Sequence, residues 1–383
     1  MGCTTSIYAV GRKKKKNVPE VVVFVPSMRI PVQSDLLRPL RGLIPKDLAD
    51  RLSCLRNQIV LVAEDTGGSA ITELLRALEE YLCVLIGLTK KEYGVEGLIQ
   101  FKWKNLEDGR HETCIANSWF EVLSVVHLMA MLTLLEADSL MIPKDHSGSG
   151  IRVVSSDCKR DAIDLLLKAA AYLEFCVRDV LVHIPPDIKK RLPTDLQDGV
   201  LEAISIQALG QGTEIQLGLA VECQKATLSV KRRLACEELS YFSQAYHRLS
   251  ECVMDTNNGY GKKLLWFIKW KFLEAKAAAY YYHGLILDKG NEPSCHVSAV
   301  CCFLAAEEIL SECKKACLSF CLATPVTRAL QALPDLPDFQ LSLRPDDYQL
   351  PEIDPAWDSE KWEIQGQPLK EHLKDSEDEI ETE

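Results

Sequence analysis

The sequence predicts a mainly all-α fold in which helices stack in antiparallel pairs, as in a solenoid. Most of the 383 residues fall in long segments whose apolar side chains recur at the helical period. Short turns rich in Gly, Asn, Asp, Ser and Pro separate these segments. Strand-like alternation occurs only in the first third of the chain, which predicts a short β-hairpin near the N-terminus. With 47% apolar and 26% charged residues, the chain is globular and can bury a large core.

The first half of the chain is predicted to hold an entry segment, a hairpin strand and several helices. Residues 21–25, followed by Pro26 and Pro31, are typical of a short strand or an extended segment. Asp35 is placed to cap a short helix that continues to residue 43, and residues 98–103 alternate like a strand of a hairpin. Longer helices are predicted at residues 46–64, 69–88 and 112–138.

The second half is predicted to contain longer helices of the same kind. A helix over residues 157–182 is ended by the pair Pro185 and Pro186, and Thr194 caps the next helix. Residues 261–287 and 294–322 are expected to form an antiparallel pair. Beyond residue 325 the chain becomes acidic and rich in proline, with Trp357 and Trp362 as candidate anchors to the body.

The segment that organises this arrangement is residues 209–249, which we predict to be one long helix with two apolar faces. The first face is an expected core stripe of Val221, Leu228, Ala235, Leu239, Phe242, Tyr246 and Leu249. The second face carries Leu219, Cys223, Val230, Leu234 and Tyr241, with Gln216 in line. Two explanations fit a second stripe. Either the helix is the middle layer of a stack and buries both faces, or the second stripe lines an open groove for another protein's helix.

No catalytic or metal-binding motif is found in the sequence. There is no GxSxG nucleophile elbow, no complete phosphate loop and no dinucleotide fingerprint. The fifteen cysteines fall mostly within apolar helical text and lack zinc-site spacing, which favours a role as small core residues in a reducing compartment. We therefore expect a protein that is not an enzyme and needs neither a cofactor nor a metal.

The net charge of −11 is concentrated in the C-terminal part of the chain. Residues 334–383 contain 16 Asp and Glu against 4 Lys and Arg, so the rest of the chain is nearly neutral. The body therefore lacks the clustered basic groove that duplex nucleic acid requires, and no nucleic-acid partner is expected. Residues 366–383 are predicted to be an acidic, disordered tail.

The N-terminus carries three signals for attachment to a membrane. Gly2 followed by Ser6 fits the pattern for N-myristoylation, and Cys3 is the usual position for a palmitoyl group. A basic cluster then adds attraction to anionic lipid: Arg12, Lys13, Lys14, Lys15 and Lys16. The most apolar run, residues 119–135, is too short and too interrupted to span a bilayer comfortably. Residues 1–19 are therefore predicted to place a cytoplasmic protein on the surface of a membrane that it does not cross.

Several segments resemble the BRO1 domain, the boomerang-shaped, TPR-like helical domain of the Alix and Bro1 proteins, over residues 21–362. Residues 25–40 resemble its opening strand and first helix, and residues 99–104, Ile-Gln-Phe-Lys-Trp-Lys, are similar to its Phe-Thr-Trp strand. Leu209, Gln211 and Glu214 match its Leu-x-Gln-x-x-Glu helix start, and residues 274–281 resemble its Lys-Ala-rich late helix. In layout the chain is closest to the BRO1-only proteins of the Brox type, with a BRO1-like domain at residues 20–365.

The resemblance implies a non-catalytic adaptor of the ESCRT pathway in endosomal sorting. In that family a groove on the central helix binds the C-terminal amphipathic helix of an ESCRT-III subunit of the Snf7/CHMP4 type. The family's two aliphatic contacts fall on Val230 and Leu234, whereas its aromatic contact falls on Gln216. Cys223 and Tyr241, on the same predicted face, are placed to compensate. The alternative is a helical scaffold that binds another peptide, such as a receptor or kinase tail.

Overall fold

Ten helices and a small sheet make up the parts of the chain that the computed structural model describes, namely residues 19–26, 28–66, 70–106, 112–145, 152–253, 259–322 and 335–358. The helices are α1 Leu37–Leu40, α2 Lys46–Thr66, α3 Ile71–Leu85, α4 Ser118–Leu140, α5 Ser156–Phe175, α6 Pro186–Lys189, α7 Asp198–Glu222, α8 Leu228–Val253, α9 Gly259–Leu287 and α10 Pro293–Leu322. The strands are β1 Arg29–Val32, β2 Phe101–Asn105, β3 Glu112–Ile115, β4 Lys144–Asp145 and β5 Arg152–Val153. The mainly α fold with a short N-terminal hairpin is thereby confirmed.

The sheet near the N-terminus is antiparallel, in the order β1-β2-β3, and Trp103 lies opposite Pro31. A carboxylate buried beneath it, that of Glu121 on α4, fixes the sheet to the helices. Its oxygens accept hydrogen bonds from Arg56 Nε at 2.8 Å, Trp103 Nε1 at 2.6 Å and Tyr81 O–H at 3.2 Å. A buried charge is tolerated only when it is paired and hydrogen-bonded in this way. Trp103, in the strand predicted over residues 98–103, thus joins the sheet to helix α4.

Residues 21–25 were expected to form a short strand or an extended segment, and the structure shows the extended segment, whose backbone bonds to side chains. Val23 N donates to Asp138 Oδ1 at 3.2 Å. The amides of Gln207 and Gln211 on α7 donate to Phe24 O at 3.0 Å and Val22 O at 2.6 Å. Because these buried amides satisfy the backbone, the segment runs extended across α7 without joining a sheet.

Two predicted helices have different bounds in the structure. The segment 112–138 begins with β3, and α4 starts at Ser118, where the Asn117 side chain accepts a bond from Phe120 N at 2.9 Å. The helix predicted over 157–182 is regular only to Phe175. It continues as a π-helical turn over Cys176–Val180 and a 3₁₀ turn over Leu181–His183. The first difference is due to the Asn117 cap, which outweighs apolar periodicity, and the second is a change of helix type within a continuous helical segment.

The single long helix predicted over residues 209–249 is wrong. It is an antiparallel hairpin of α7 and α8 joined at residues 223–227. Cys223 N still bonds to Leu219 O at 3.0 Å, after which Ala226 N turns back to Cys223 O at 3.1 Å. Thr227 then begins α8, since its Oγ1 accepts a bond from Val230 N at 3.4 Å. The N-cap threonine was the local signal of this break in the sequence.

The last described segment, residues 335–358, has no regular structure apart from one 3₁₀ turn and is called the C-terminal strap below. It runs over α8, then α5, and ends on α3, held by main-chain bonds from Asp346 N to Leu167 O at 3.3 Å and from Asp354 N to Cys83 O at 3.1 Å. Trp357, a predicted anchor, is 1% exposed, and its Nε1 donates to Val84 O at 2.8 Å. Trp362 and the predicted acidic tail lie outside the described residues.

Helices α7, α8, α9 and α10 pack in sequence order, each against the next. Within the described residues, α4 and α10 are long and apolar enough to cross a membrane, by length and composition alone. Helix α4 is buried almost throughout and forms the centre of the core, as expected for residues 119–135. Helix α10 packs on α9 through one side and leaves its other side exposed.

Candidate functional site

The turn between α7 and α8 brings together residues that are distant in the sequence. Gln216 lies six residues before the end of α7, and Leu234 lies six residues after the start of α8. Because the two helices run antiparallel, both side chains are about 9 Å from the turn along the helix axis. On one continuous helix they would be about 27 Å apart. The hairpin therefore places Gln216 and Leu234 at the same level along its axis, where Leu217 of α7 packs with Leu234 of α8.

Helix α8 carries the second apolar stripe, and the structure divides this stripe into an open part and a covered part. Val230, Leu234, Glu237 and Tyr241 follow one another at helical spacing on this face. Val230 is 45% exposed and Leu234 is half-buried, whereas Glu237 and Tyr241 are buried. Only the first turn and a half of the stripe is thus open to a partner.

The C-terminal strap covers the remaining part of the stripe. Tyr241 O–H donates to Leu343 O at 2.6 Å. One turn earlier, Glu237 accepts from Ser342 N at 2.9 Å and from the Ser342 hydroxyl. Burial, followed by the charge of Glu237, raises the pKa of Tyr241 to about 12, so its hydroxyl stays protonated as a donor. Tyr241 was expected at the open groove, but its hydroxyl is bonded to the C-terminal strap and its side chain is buried.

Two apolar side chains of the C-terminal strap form a wall beside Leu234 that sequence reasoning missed. Leu336 and Phe339 pack with Leu234 against a small cluster of Leu217, Ala235, Cys236 and Ala279. The Phe339 ring also lies 5.7 Å from the Arg232 guanidinium. A helix placed on Val230 and Leu234 would therefore meet this wall at one end.

A buried ionic cluster lies where the α7–α8 hairpin packs on α9. Lys271 on α9 is 3% exposed, and its Nζ donates to Glu214 Oε1 at 2.7 Å and to Glu274 Oε2 at 2.8 Å. Burial alone would lower the pKa of Lys271, but these carboxylates raise it above its ordinary value. Glu238 on α8 is also buried, and desolvation together with the charge of Glu214 raises its pKa well above the usual range. The Lys271–Glu214 pair ties α9 to α7, and the buried Glu238 of α8 lies close enough to feel the charge of Glu214. The motif glutamate Glu214 lies inside α7, which begins at Asp198, and not at a helix start.

The first described residues lie beside the same turn. Lys159 Nζ, on α5, pairs with Glu20 Oε1 and with Glu222 Oε1, both at 2.5 Å. Glu222 is the last residue of α7, and Cys223, a predicted contact residue, is exposed in the turn that follows. The predicted lipidation sites Gly2 and Cys3 and the basic cluster over residues 12–16 lie outside the described residues.

The open part of this surface is small and apolar: Val230 is exposed, Leu234 is half-buried, and Cys223 is exposed in the turn. Two carboxylates beside it are paired within the fold, Glu237 with Arg233 and Glu214 with Lys271. The described part of the chain contains no group of three or more His, Cys, Asp or Glu placed to hold a metal ion. An apolar strip one helix wide, bounded by a polypeptide wall, fits the apolar face of an amphipathic helix.

Comparison with known proteins identifies the fold. No family model matches the sequence, and no curated protein matches it significantly. Among solved structures, ALIX in complex with the SIVmac239 late domain aligns with a TM-score of 0.62 and 14% identity, over 88% of this chain and 51% of that one. The chain thus spans about half the length of that ALIX structure.

Two structures of the isolated domain align over most of their length. The ALIX BRO1 domain in complex with CHMP4C gives a TM-score of 0.62 at 15% identity, covering 88% of this chain and 99% of that one. A structure reported as the basis for endosomal targeting by the Bro1 domain gives a TM-score of 0.55 at 15% identity, covering 82% and 90%. With its N-terminal sheet, stacked helices and this overall alignment, the chain has the fold of the Bro1 domain.

Proposed function

We propose that this protein is a non-catalytic adaptor of the ESCRT pathway that binds the C-terminal amphipathic helix of an ESCRT-III subunit of the Snf7/CHMP4 type. The observation that carries the proposal is the open apolar strip of Val230 and Leu234 on α8, next to the α7–α8 turn and bounded by Phe339. The comparison with the ALIX BRO1 domain in complex with CHMP4C supports the class of partner.

The partner helix is expected to be held mainly by two aliphatic contacts. Gln216 offers an amide where the family has an aromatic side chain, and Tyr241 is engaged with Leu343. Cys223 lies at the far end of the strip and adds a small exposed contact. A central apolar contact in an interface contributes about 1 to 3 kcal/mol. We therefore expect weak binding, with a dissociation constant of about 10 to 100 µM.

The test is fluorescence anisotropy of labelled C-terminal helix peptides of Snf7/CHMP4-type subunits with the purified protein. Val230→Asp places a charge in the strip at a position that is 45% exposed, so the fold should tolerate it. We expect affinity to fall at least about tenfold, and Leu234→Asp should have the same effect. Val182→Asp, at a 63% exposed position between α5 and α6, is the matched control and should bind normally. Unchanged binding by a folded Val230→Asp variant would reject this site.

The proposal includes attachment to a membrane through residues 1–19, with residues 20–365 as the adaptor domain and 366–383 as an acidic tail. Acylation at Gly2 and Cys3 and the cluster Arg12, Lys13, Lys14, Lys15 and Lys16 would supply the lipid and electrostatic contacts. Glu20 lies beside the α7–α8 turn, because Lys159 pairs with both Glu20 and Glu222. An anchor in residues 1–19 would therefore hold the partner strip close to the membrane. Localisation on endosomal or plasma membrane should be lost in Gly2→Ala and weakened when the four lysines are replaced by glutamine. Normal membrane localisation of Gly2→Ala would contradict the anchor.

A scaffold for another peptide is the second candidate function. It is favoured by Gln216 and by the Phe339 wall, which together leave a shorter and more polar strip than a long apolar helix would need. A receptor or kinase tail with one apolar turn would fit such a strip. The two functions are separated by the same anisotropy assay, because only the ESCRT adaptor binds ESCRT-III helix peptides.

A further inference from the structure

Three cysteines near the end of α10 lie one above another on the same side of the helix. Cys313, Cys317 and Cys321 are spaced four residues apart, which places neighbouring members about one helical turn from each other. Their exposure increases along the row, since Cys313 is buried, Cys317 is half-buried and Cys321 is exposed. Of the three, Cys317 and Cys321 are thus accessible from solvent as a pair.

The two accessible cysteines are in contact through their side chains, and the inner one is engaged elsewhere. The Cys317 and Cys321 thiols are hydrogen-bonded to each other. The Cys313 thiol donates to Trp270 O on α9, 3.9 Å away. Within the ranges that the structure describes, no group of three or more His, Cys, Asp or Glu is suited to a metal ion. Cys317 and Cys321, called the α10 thiol pair below, therefore offer two sulfur ligands and no third ligand.

The surroundings of the α10 thiol pair disfavour a free thiolate. Burial, followed by the neighbouring Cys321, raises the pKa of Cys317 above the ordinary value of a thiol. Two charged side chains of α9 act on it, Glu274 and Lys271, but they pair with each other at 2.8 Å, so their effects largely cancel. A protonated thiol is a poor nucleophile, which argues against a catalytic role. A metal cation is not hindered in this way, because it displaces the proton and supplies the opposite charge.

Two sulfur ligands select the class of ion. Zinc in proteins takes three or four protein ligands, and calcium and magnesium take oxygen ligands. Soft thiolates favour monovalent copper. A zinc–thiolate bond is about 2.3 Å long, so an ion of similar size between two sulfurs requires them to lie within about 4.6 Å of each other. Side chains at i and i+4, whose Cβ atoms are about 5 to 6 Å apart, can meet this requirement.

We propose that the α10 thiol pair binds one soft, thiophilic cation, with monovalent copper as the ion. Both cysteines bind as thiolates, so one Cu⁺ displaces two protons, and the oxidation states of copper and sulfur do not change. The ion joins two consecutive turns close to Leu322, where α10 ends, and so fixes the last turn of the helix. The site is separate from the partner strip on α8 and does not depend on the proposed function.

The test is a competition titration of the reduced full chain with Cu⁺ and the chelator bathocuproine disulfonate, without oxygen. We expect one Cu⁺ per chain to be retained at chelator concentrations that remove copper from single thiols. Cys317→Ser and Cys321→Ser should each lower the affinity at least about tenfold, because one of the two sulfur ligands is lost. Cys301→Ser, at an exposed position on the same helix without a cysteine four residues away, is the matched control and should bind normally.

Two further measurements test the pairing of the thiols directly. Because two protons are displaced, the affinity for Cu⁺ should rise about a hundredfold per pH unit near neutral pH. Phenylarsine oxide condenses with two thiols to give one arsenic dithiolate and one water, without a change of oxidation state. Mass spectrometry of the digested protein should find arsenic joining residues 317 and 321, and bound Cu⁺ should block this reaction.

Three outcomes would overturn the proposal. The wild type and Cys321→Ser could lose copper at the same chelator concentration. The affinity could rise only about tenfold per pH unit, which would assign the copper to a single thiol. Finally, bound Cu⁺ could leave the reaction of the arsenical with residues 317 and 321 unchanged. Thermal unfolding of each variant controls for folding, and replacing the exposed Cys321 should not change the stability.

Discussion

The C-terminal strap is anchored by a close contact between Trp357 and Gly87. Single and double variants of these two residues can test this anchoring. A Cβ placed on Gly87 would lie 1.9 Å from Trp357 Cε2, so Gly87→Ala forces the indole out of its site. Trp357 is 1% exposed, and removing a buried tryptophan side chain costs about 3 to 5 kcal/mol. Trp357→Ala should lower the free energy of unfolding by this amount. Gly87→Ala should cost about 2 to 4 kcal/mol in the wild type, since the indole then loses most of its burial.

The double variant shows whether Gly87→Ala destabilises the protein through its contact with Trp357 or through some other effect on the surrounding segment. Once Trp357 is alanine, a methyl group at Gly87 enters empty space, and its cost should fall below about 0.5 kcal/mol. Urea unfolding followed by circular dichroism of the four proteins gives the coupling energy, which we expect to be about 2 to 3 kcal/mol. Equal costs of Gly87→Ala in both backgrounds would refute the packing of Trp357 on Gly87.

Three further predictions concern buried ionisable groups. Lys271→Met leaves Glu214 and Glu274 without their cation and should lower the free energy of unfolding at pH 7 by about 3 to 5 kcal/mol. The loss should be smaller in acid, because burial raises the pKa of Glu214 and favours its neutral form. Burial raises the pKa of Asp138 from 3.8 to about 6, so its stabilising contribution is complete below pH 3.8 and is lost as the pH rises through 6; Asp138→Asn should remove this loss, about 3 kcal/mol. Burial lowers the pKa of His127 from 6.5 to about 4, so its contribution is complete above pH 6.5 and is lost as the pH falls through 4; His127→Leu should remove that loss. Urea titrations at several pH values measure the free energy of unfolding of all three variants. If the Asp138 or the His127 variant shows the same pH dependence as the wild type, the shifted pKa of that residue does not cause the pH dependence.

The sequence predicted the helical layers well because apolar periodicity reports burial directly. Ala235, Phe242 and Leu249, in the predicted core stripe, are fully buried, and Trp357 is the anchor it was expected to be. Periodicity failed at residues 223–227, because the apolar spacing happens to continue from α7 into α8 across a turn. Val221, which belongs to the same predicted stripe, is 50% exposed as a result.

The site was predictable only in part, since its boundaries come from distant segments. Val230 and Leu234 could be identified from helical spacing, and the structure leaves the first open and the second half-buried. Their wall, Leu336 and Phe339, is about a hundred residues away, and no local pattern indicates which helix it covers. The same holds for Tyr241, whose hydroxyl bonds to Leu343, a residue 102 positions away in the chain.

The C-terminal strap also sets the order in which the domain can be completed. Its last anchor joins Trp357 to Val84, two groups separated by 273 positions in the chain. Nearly all of the described chain must therefore be synthesised before this contact can form. Until then, the Val84 carbonyl of α3 and the surface of Gly87, in the turn after α3, lack their contact with Trp357. Contacts of such long sequence separation form late and slowly. A pulse-labelled nascent chain should consequently pass through a protease-sensitive stage that ends only when residue 357 has left the exit tunnel.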